Sequence, residues 1–310
     1  MSVDRVVVRA PATSANMGPG FDSLGLAMEL RDELTFERAA EGESRAITVD
    51  PDGTQVSLGI PTGGDNLAIR AFATAFRDAG QNPPAVRVRI VNRIPVARGL
   101  GSSAAAIVAG LMAADAFMGI APDLQRLLNT AARIEGHPDN TAACILGGIT
   151  ASSFVGARVL WARVPAHGSL RAVAAVPDFP VSTRAARNVL PGNVPHSDAV
   201  FNVGRTALLV ASLASGNYAN LRYAFDDRLH QPYRSGLVPG MVNAMKAACD
   251  AGAIGSYMSG AGPSIMALIG GDGPAEPVAS AMREAFDRAR VSAATMVLPM
   301  AESGASIEVV

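Results

Sequence analysis

Ile94-Pro95-Val96-Ala97-Arg98-Gly99-Leu100-Gly101-Ser102-Ser103-Ala104-Ala105-Ala106 is the stretch around which the rest of the chain is read. Two glycines and two serines lead into an uncharged, alanine-rich run that reaches Ala114. Ahead of them, Ala85 to Val91 alternates apolar and basic side chains, which is the pattern of a strand. The order is strand, glycine loop, helix. The first N–H groups of a helix lack carbonyl partners and lie at the positive end of its dipole, so together they form an anion site. Gly99 and Gly101 would let the backbone curl around a phosphate where a Cβ would intrude. Either serine can cap the helix, and one hydroxyl can also reach a metal ion. A lone Gly-x-Gly would be explained by an ordinary capped helix, but loop, double serine and flanking strand together favour phosphate binding. Designs that depend on lysine are excluded. A P-loop needs Gly-x-x-x-x-Gly-Lys-Ser/Thr and protein kinases need a strand lysine, whereas the one lysine here, Lys246, is far from any glycine loop.

A chain of 310 residues predicts about two domains, each with its own core. The net charge of −1 gives no reason to propose nucleic acid or an anionic membrane as partner. Asp4 and Arg5 ahead of a short Val-rich strand do not read as a signal peptide, and the expected location is cytoplasmic. Ala251 to Gly271 is uncharged, but Gly255, Gly260, Gly262 and Pro263 interrupt it, so it reads as strand–loop–strand and not as a membrane span. Cys144 and Cys249 have no metal-like spacing and read as small buried hydrophobes of a reduced protein.

From the N-terminus, a strand from Val6 ends at Ala10-Pro11, and a turn-rich loop from Ala12 to Asp22 follows it. Leu24 to Arg38 alternates as a strand, and a helix from Leu67 has Asp65 or Asn66 as its N-cap. The helix Leu124 to Ile134 ends in Glu135-Gly136-His137-Pro138-Asp139-Asn140, which sets two acids at the negative end of its dipole, where a bound cation would relieve them. Leu146 to Val155 and Ala157 to Val164 predict paired strands, and the first domain ends near them. In the second half, Ser182-Thr183 can cap a short helix carrying Arg184 and Arg187. Longer helices are predicted over Ser197–Ala214, Tyr218–His230, Val238–Ala251 and Pro274–Ala289. Strands are predicted over Arg171–Val176, Gly255–Ser259, Ser264–Ile269, Ala294–Leu298 and Ile307–Val310. The sum is two α+β domains with antiparallel sheets, not a doubly wound parallel sheet.

Three of these motifs, Pro11 to Asp22, Pro95 to Ala106, and Gly255 to Leu268 with its Ser-Gly-Ala-Gly-Pro-Ser, resemble the GHMP kinases. Glu135 to Asn140, Ser182 to Arg187 and His230-Gln231-Pro232-Tyr233-Arg234 resemble the branch of that family that phosphorylates L-homoserine. Arg98 and Ala261 stand where many relatives have glycine. The resemblance implies a two-domain α+β GHMP-kinase fold. Its N-terminal domain would be ribosomal protein S5 domain 2-like (residues 1–160), and its C-terminal domain a ferredoxin-like α/β unit (residues 161–310). It also implies ATP and Mg²⁺ in a cleft between the domains, and the conversion of L-homoserine to O-phospho-L-homoserine in threonine biosynthesis. By the same resemblance, Gly99, Gly101, Ser102 and Ser103 would hold the nucleotide phosphates, and Pro95, Arg98 and Leu100 would also bind ATP. Asn66 would lie at the adenosine end, and Gly260 and Gly262 would support the nucleotide side. Ser103 and Glu135 would share Mg²⁺, although Ser102 is an alternative. Asn16, Asp22, His137, Asn140, Arg187 and Arg234 would surround the amino acid. Asn140, with Ser103, Glu135 and Thr183, would act in catalysis. A homodimer is implied at the level of the family only.

The chemistry of these residues agrees with that assignment. Homoserine is a zwitterion with one neutral hydroxyl. Its carboxylate needs fixed cations, for which planar arginine forks are suited, and Asp22 is the candidate acceptor for its ammonium. Surface salt bridges would equally explain Arg187 and Arg234, a hydrogen-bonded turn would explain His137, and a helix cap would explain Thr183. Asp139, next to Asn140, is an alternative catalytic base, or a turn residue capping toward Thr141. Two rival functions are a mevalonate-type kinase on the same loop and a non-catalytic sensor. The sensor is disfavoured because Ser102, Ser103 and Glu135 are all present.

Overall fold

Alternation in the first forty residues builds two long strands, β1 (Arg5–Ala15) and β2 (Leu24–Arg38), paired antiparallel. Their register slips between Pro11 and Ala12, where proline has no N–H to give to the ladder. The structure is a computed structural model that describes residues 3–40, 46–51, 59–166 and 170–310. Around the β1–β2 pair a seven-stranded sheet forms with β3 (Ala46–Pro51), β4 (Val86–Asn92), β5 (Ile149–Val155), β6 (Arg158–Val164) and β11 (Ser306–Val309). Its order is β11-β1-β2-β4-β3, with β5 on the near end of β2 and β6 beyond it, and only β3 and β4 run parallel.

Helices α1 (Leu67–Asp78) and α2 (Ser102–Met118) pack over the middle of this sheet. Phe36 of β2 stacks on Phe72, which also meets Phe76 and Phe117, and this aromatic group is the centre of the core. Helix α2 is apolar nearly all round and buried, as expected of a helix at the centre of a domain. Gly110 lets it lie against α1, because a Cβ there would meet the Ala68 carbonyl.

The second sheet is wholly antiparallel: β10 (Ala293–Pro299), β7 (Leu170–Pro177), β9 (Ile265–Gly270) and β8 (Gly255–Met258), in that order. Along β7, Val173 and Ala175 face the helices α9 (Met241–Asp250) and α10 (Ala275–Arg288), while Ala172 and Ala174 face the larger core shared with the first sheet. Helix α6 (His196–Ser215) joins that shared core through Leu209 and Leu213. Among the described residues no helix is long and apolar enough to cross a membrane. Both cysteines are free; Cys144 is buried as predicted, whereas Cys249 is only half-buried.

Four sequence expectations are corrected. The closing strand β11 does not complete the second sheet but pairs antiparallel with β1, so the chain returns to its first domain. The first strand does not end at Ala10-Pro11 but runs on to Ala15, so the start of the predicted loop is paired with β2. The predicted strand from Leu146 is preceded by an unpredicted helix, α4 (Asp139–Leu146), too short for its periodicity to register. Tyr218–His230 is not one helix. It is a 3₁₀ turn, the four-residue α7 (Leu221–Ala224), and an irregular turn leading to α8 (Gln231–Arg234). Asp227 is the physical reason, because its carboxylate accepts the backbone N–H groups of Leu229, His230 and Gln231 in place of helical carbonyls.

Candidate active site

The three glycine-containing motifs meet at one point. Thr13 at the end of β1 donates its N–H to the Leu100 carbonyl (3.0 Å), Gly260 donates to the Ala15 carbonyl (3.2 Å), and Ser264 donates to the Arg98 carbonyl (3.3 Å). The Ser259 hydroxyl donates to the Gly99 carbonyl at 2.6 Å and lies 2.7 Å from the Ser14 hydroxyl. Gly99 and Gly101 are both left-handed, at φ 77° and 74°. The space that each Cβ would fill holds protein: the Ser259 carbonyl at Gly99, and the Thr13 side chain at Gly101. These glycines therefore allow the loops to interlock, a role beyond the close phosphate approach expected of them. Neither serine caps α2; Gly101 is the N-cap residue, and Ser102 and Ser103 are the first residues of the helix. Gly101→Ala is expected to lose about 2–5 kcal/mol, from the left-handed backbone plus overpacking. Thermal unfolding reads this loss, and an unchanged Tm would show that the loop relaxes freely.

A cleft of about 260 Å³ opens beside this junction. Of the residues predicted to bind nucleotide, Asn66, Pro95, Gly99, Leu100, Gly101, Ser102, Ser103 and Gly260 line it; Arg98 and Gly262 do not. Arg98 turns toward Asp178 (3.6 Å) and its own loop, and Gly262 packs under the junction against Met258. Asn66 caps α1 by accepting from the Ala68 N–H (2.9 Å) and ties down Pro61 by donating to its carbonyl (2.8 Å). The far end of the cleft is apolar, with Leu34, Ile90, Ile60 and Val96, none of them foreseen as nucleotide contacts, and it also holds an unforeseen acid. Asp32, buried on the same face of β2 as Leu34, accepts from the N–H groups of Arg93 and Ile94 and from Asn92, and so holds the turn that starts the phosphate loop. Burial raises its pKa, and these donors oppose the rise. An acid in the apolar row of a strand was its only sequence signal.

Glu135 is the last residue of α3 (Leu124–Glu135), where Gly136 at φ 93° ends the helix. The Ser103 hydroxyl donates to its carboxylate at 2.5 Å, bringing together the two residues predicted to share a metal. Burial raises the Glu135 pKa, against the Ser103 hydrogen bond and the charge of His137. Asp139 opens α4, at the positive end of a helix dipole; the predicted strain at a helix C-terminus holds for Glu135 alone. Its Oδ1 accepts from the Asn140 N–H and lies 2.6 Å from Nδ1 of His137. Burial lowers the His137 pKa, but the hydrogen bond and charge of Asp139, with Glu135 and Asp22, outweigh it and the net direction is up.

A second, smaller pocket shares Asn140, Gly260 and Ala261 with the cleft and also collects Asn16, Asp22, His137, Thr183, Arg187 and Arg234. Asn140 accepts from the Thr13 hydroxyl at 2.8 Å. Asn16, at φ 69°, accepts from the Asp22 N–H and donates to the Gly260 carbonyl, so its amide serves the loop. Arg187 makes a two-point ion pair with Asp22, at 2.7 and 3.0 Å, instead of standing open as half of a clamp. Arg234, only 2% exposed, donates to the carbonyls of Ala186 and Gly260. Surface salt bridges are thereby ruled out for Arg234. Ser182 caps α5 (Thr183–Asn188) by accepting from the Ala185 N–H, which leaves Thr183 on the exposed rim. Phe21, which lines this pocket, and two supporting residues were not predicted. His230 is fully buried with Nε2 2.7 Å from the Gly18 carbonyl, and Asp227 pins the turn before it.

Two interlocked glycine loops at a helix N-terminus, beside a pocket of paired charges, define a small-molecule kinase, and comparison with known proteins agrees. The model of the GHMP kinases N terminal domain matches residues 66–148, and that of the GHMP kinases C terminal matches residues 208–288. The chain is 42% identical to the homoserine kinase of Moorella thermoacetica over 97% of this chain and 99% of that one. It is 46% identical to the homoserine kinase of Gloeobacter violaceus over 91% and 93%. The crystal structure of homoserine kinase from Cytophaga hutchinsonii superposes with a TM-score of 0.87 at 30% identity, covering 98% of both chains. The chain belongs to the GHMP kinase family. Within it, these relatives are homoserine kinases.

Proposed function

We propose that the protein transfers the γ-phosphoryl group of ATP to the hydroxyl of L-homoserine, giving ADP and O-phospho-L-homoserine, a step of threonine biosynthesis. The observation that carries this reading is the pair of pockets that meet at Asn140, Gly260 and Ala261, with the phosphate loop on one side and paired ions on the other. ATP would lie with its base at the apolar end of the cleft and its phosphates on the free N–H groups that begin α2. Asp22 and Arg187 pair with each other at the pocket. A zwitterion replaces each partner with an opposite charge, its ammonium on Asp22 and its carboxylate on Arg187 and Arg234. His137 and Asn16 border that site, and Thr183 closes it from the rim. Mevalonate, which has no ammonium, would draw Arg187 to its carboxylate and offer Asp22 no cation in exchange.

Mg²⁺ suits the half-buried pair of Ser103 and Glu135, because a hard cation takes oxygen ligands and needs few from the protein. Bound there, it would neutralise charge on the phosphate oxygens. Phosphoryl transfer has a loose transition state, so positioning and charge supply most of the catalysis. Asn140 lies where the pockets join. Its oxygen already accepts from Thr13, and one further acceptor position and the amide N–H groups remain for the substrate hydroxyl. Asp139 is tied to His137 and to the start of α4, so Asp139→Asn, which keeps Oδ1, is expected to change turnover less than tenfold. Asn140→Ala should lower turnover more than it weakens ATP binding. A general base contributes ~10²–10⁴-fold, so a loss of that size in folded Asp139→Asn would make Asp139 the base. The reading itself is tested by coupled ADP release across homoserine, threonine, serine and mevalonate. Homoserine should be preferred, and activity confined to mevalonate would overturn it.

A further inference from the structure

Phe21 lies between the residues so far assigned to the amino acid, yet has no hydrogen-bonding group with which to touch it. The guanidinium carbons of Arg187 and Arg234 lie 5.5 and 5.2 Å from its ring centroid, and the ring of His230 stacks on it at 5.1 Å and 25°. We infer that Phe21 is the positioning residue for the carboxylate end of the substrate, a single aromatic plate that holds both arginines and sets the spacing between them. The inference rests on the function proposed above.

Two like charges share a small pocket here, and they are balanced differently. Arg187 has the Asp22 carboxylate, whereas Arg234 has no acid within ion-pair distance among the described residues. Its donors go to the carbonyls of Ala186 and Gly260, with Nη1 also 3.3 Å from Nδ1 of His230. Burial and then the neighbouring Arg187 push the Arg234 pKa down to about 10. An aromatic face attracts a cation without using any of its N–H groups, so it steadies both guanidiniums and leaves Nη2 of Arg234 without a hydrogen-bond partner among the described residues. That atom is then free for a carboxylate oxygen. Planar guanidinium stacks in this way and an ammonium does not, which is why both positions call for arginine. The left-handed backbone of Asp22, at φ 54°, follows directly on Phe21, so adjacent residues hold Arg187, one by its ring and one by its carboxylate.

His230 supports the plate from a fixed position. Its Nε2–H donates to Gly18 and its Nδ1 accepts from Arg234, which requires the neutral ring. Burial lowers its pKa in that direction, against Asp227 at 3.6 Å.

The test is steady-state kinetics of Phe21→Leu and Phe21→Tyr with L-homoserine and with 3-amino-1-propanol, which keeps the ammonium and hydroxyl but has no carboxylate. Two cation–π contacts predict that Phe21→Leu raises KM for homoserine roughly tenfold and leaves KM for ATP unchanged. The preference for homoserine over aminopropanol should fall by the same factor, and Phe21→Tyr, which keeps the ring, should stay near wild type. If Phe21→Leu does not fold, Phe21→Met, of similar volume and without a ring, reads the same quantities. The inference is overturned by an unchanged homoserine KM, by equal rises for both substrates, or by a loss in Phe21→Tyr as large as in Phe21→Leu. Wild-type protein inactive on homoserine but active on another acceptor would overturn the proposed function, and this inference with it.

Discussion

Glu135→Gln is expected to fold normally and to turn over about 10²–10³-fold more slowly, the usual effect of losing one electrostatic contact to a transferring group. Glutamine keeps the shape of the side chain and an oxygen for the Ser103 hydroxyl, so only the charge is removed. The sign of the stability change follows from the raised pKa. In the ligand-free protein, burial disfavours the ionised carboxylate, so the contribution of Glu135 is full below its unfolded pKa and is lost as pH rises through the folded value. At neutral pH the glutamine variant should therefore melt at or above the wild-type temperature, while higher Mg²⁺ restores part of its turnover. Thermal unfolding and turnover against Mg²⁺ check the two halves separately. Unchanged turnover at limiting Mg²⁺ would remove Glu135 from the metal site.

The second large effect is expected at Arg187. Arg187→Leu should raise KM for homoserine about ten- to a hundredfold, as the loss of a charge-assisted hydrogen bond of ~1.5–3 kcal/mol requires, with KM for ATP nearly unchanged. Arg187 is the cleaner position for this test, because its side chain is 38% exposed and its ion-pair partner, Asp22, is 35% exposed. Arg234→Leu would in addition leave the carbonyls of Ala186 and Gly260 and the His230 ring without their donor inside the protein, so stability falls along with affinity. Steady-state kinetics for both substrates, with a melt of each variant, separates the cases. An equal rise in both KM values for Arg187→Leu would contradict a carboxylate role.

What was legible in the sequence was what repeats along it. Alternation gave β2 to the residue, and the alanine-rich run gave α2, because both patterns persist over many residues. Less could be read where one side chain overrides a pattern. Asp227 turns a predicted helix into a knot of backbone hydrogen bonds, and Asp139 begins a helix only eight residues long. Long-range pairing was also hidden, since nothing in Ser306–Val309 says that it will lie beside Val6 and not beside the second sheet. At the site, the motifs named most of the residues that line the two pockets, but not what each one bonds to. Asn16 and Gly101 fit the loops to one another, and Asp32, Phe21 and His230 emerged only once distant segments were brought together.

The central claim is that one pocket binds a zwitterionic hydroxy amino acid and the other binds ATP. Its most direct test is to incubate the wild-type protein with ATP, Mg²⁺ and L-homoserine or mevalonate, and to follow the phosphorus spectrum. With homoserine, a new phosphomonoester should appear as the γ-phosphate signal disappears, one for one with ADP, and with mevalonate none should form. A phosphomonoester from mevalonate and none from homoserine would contradict the account.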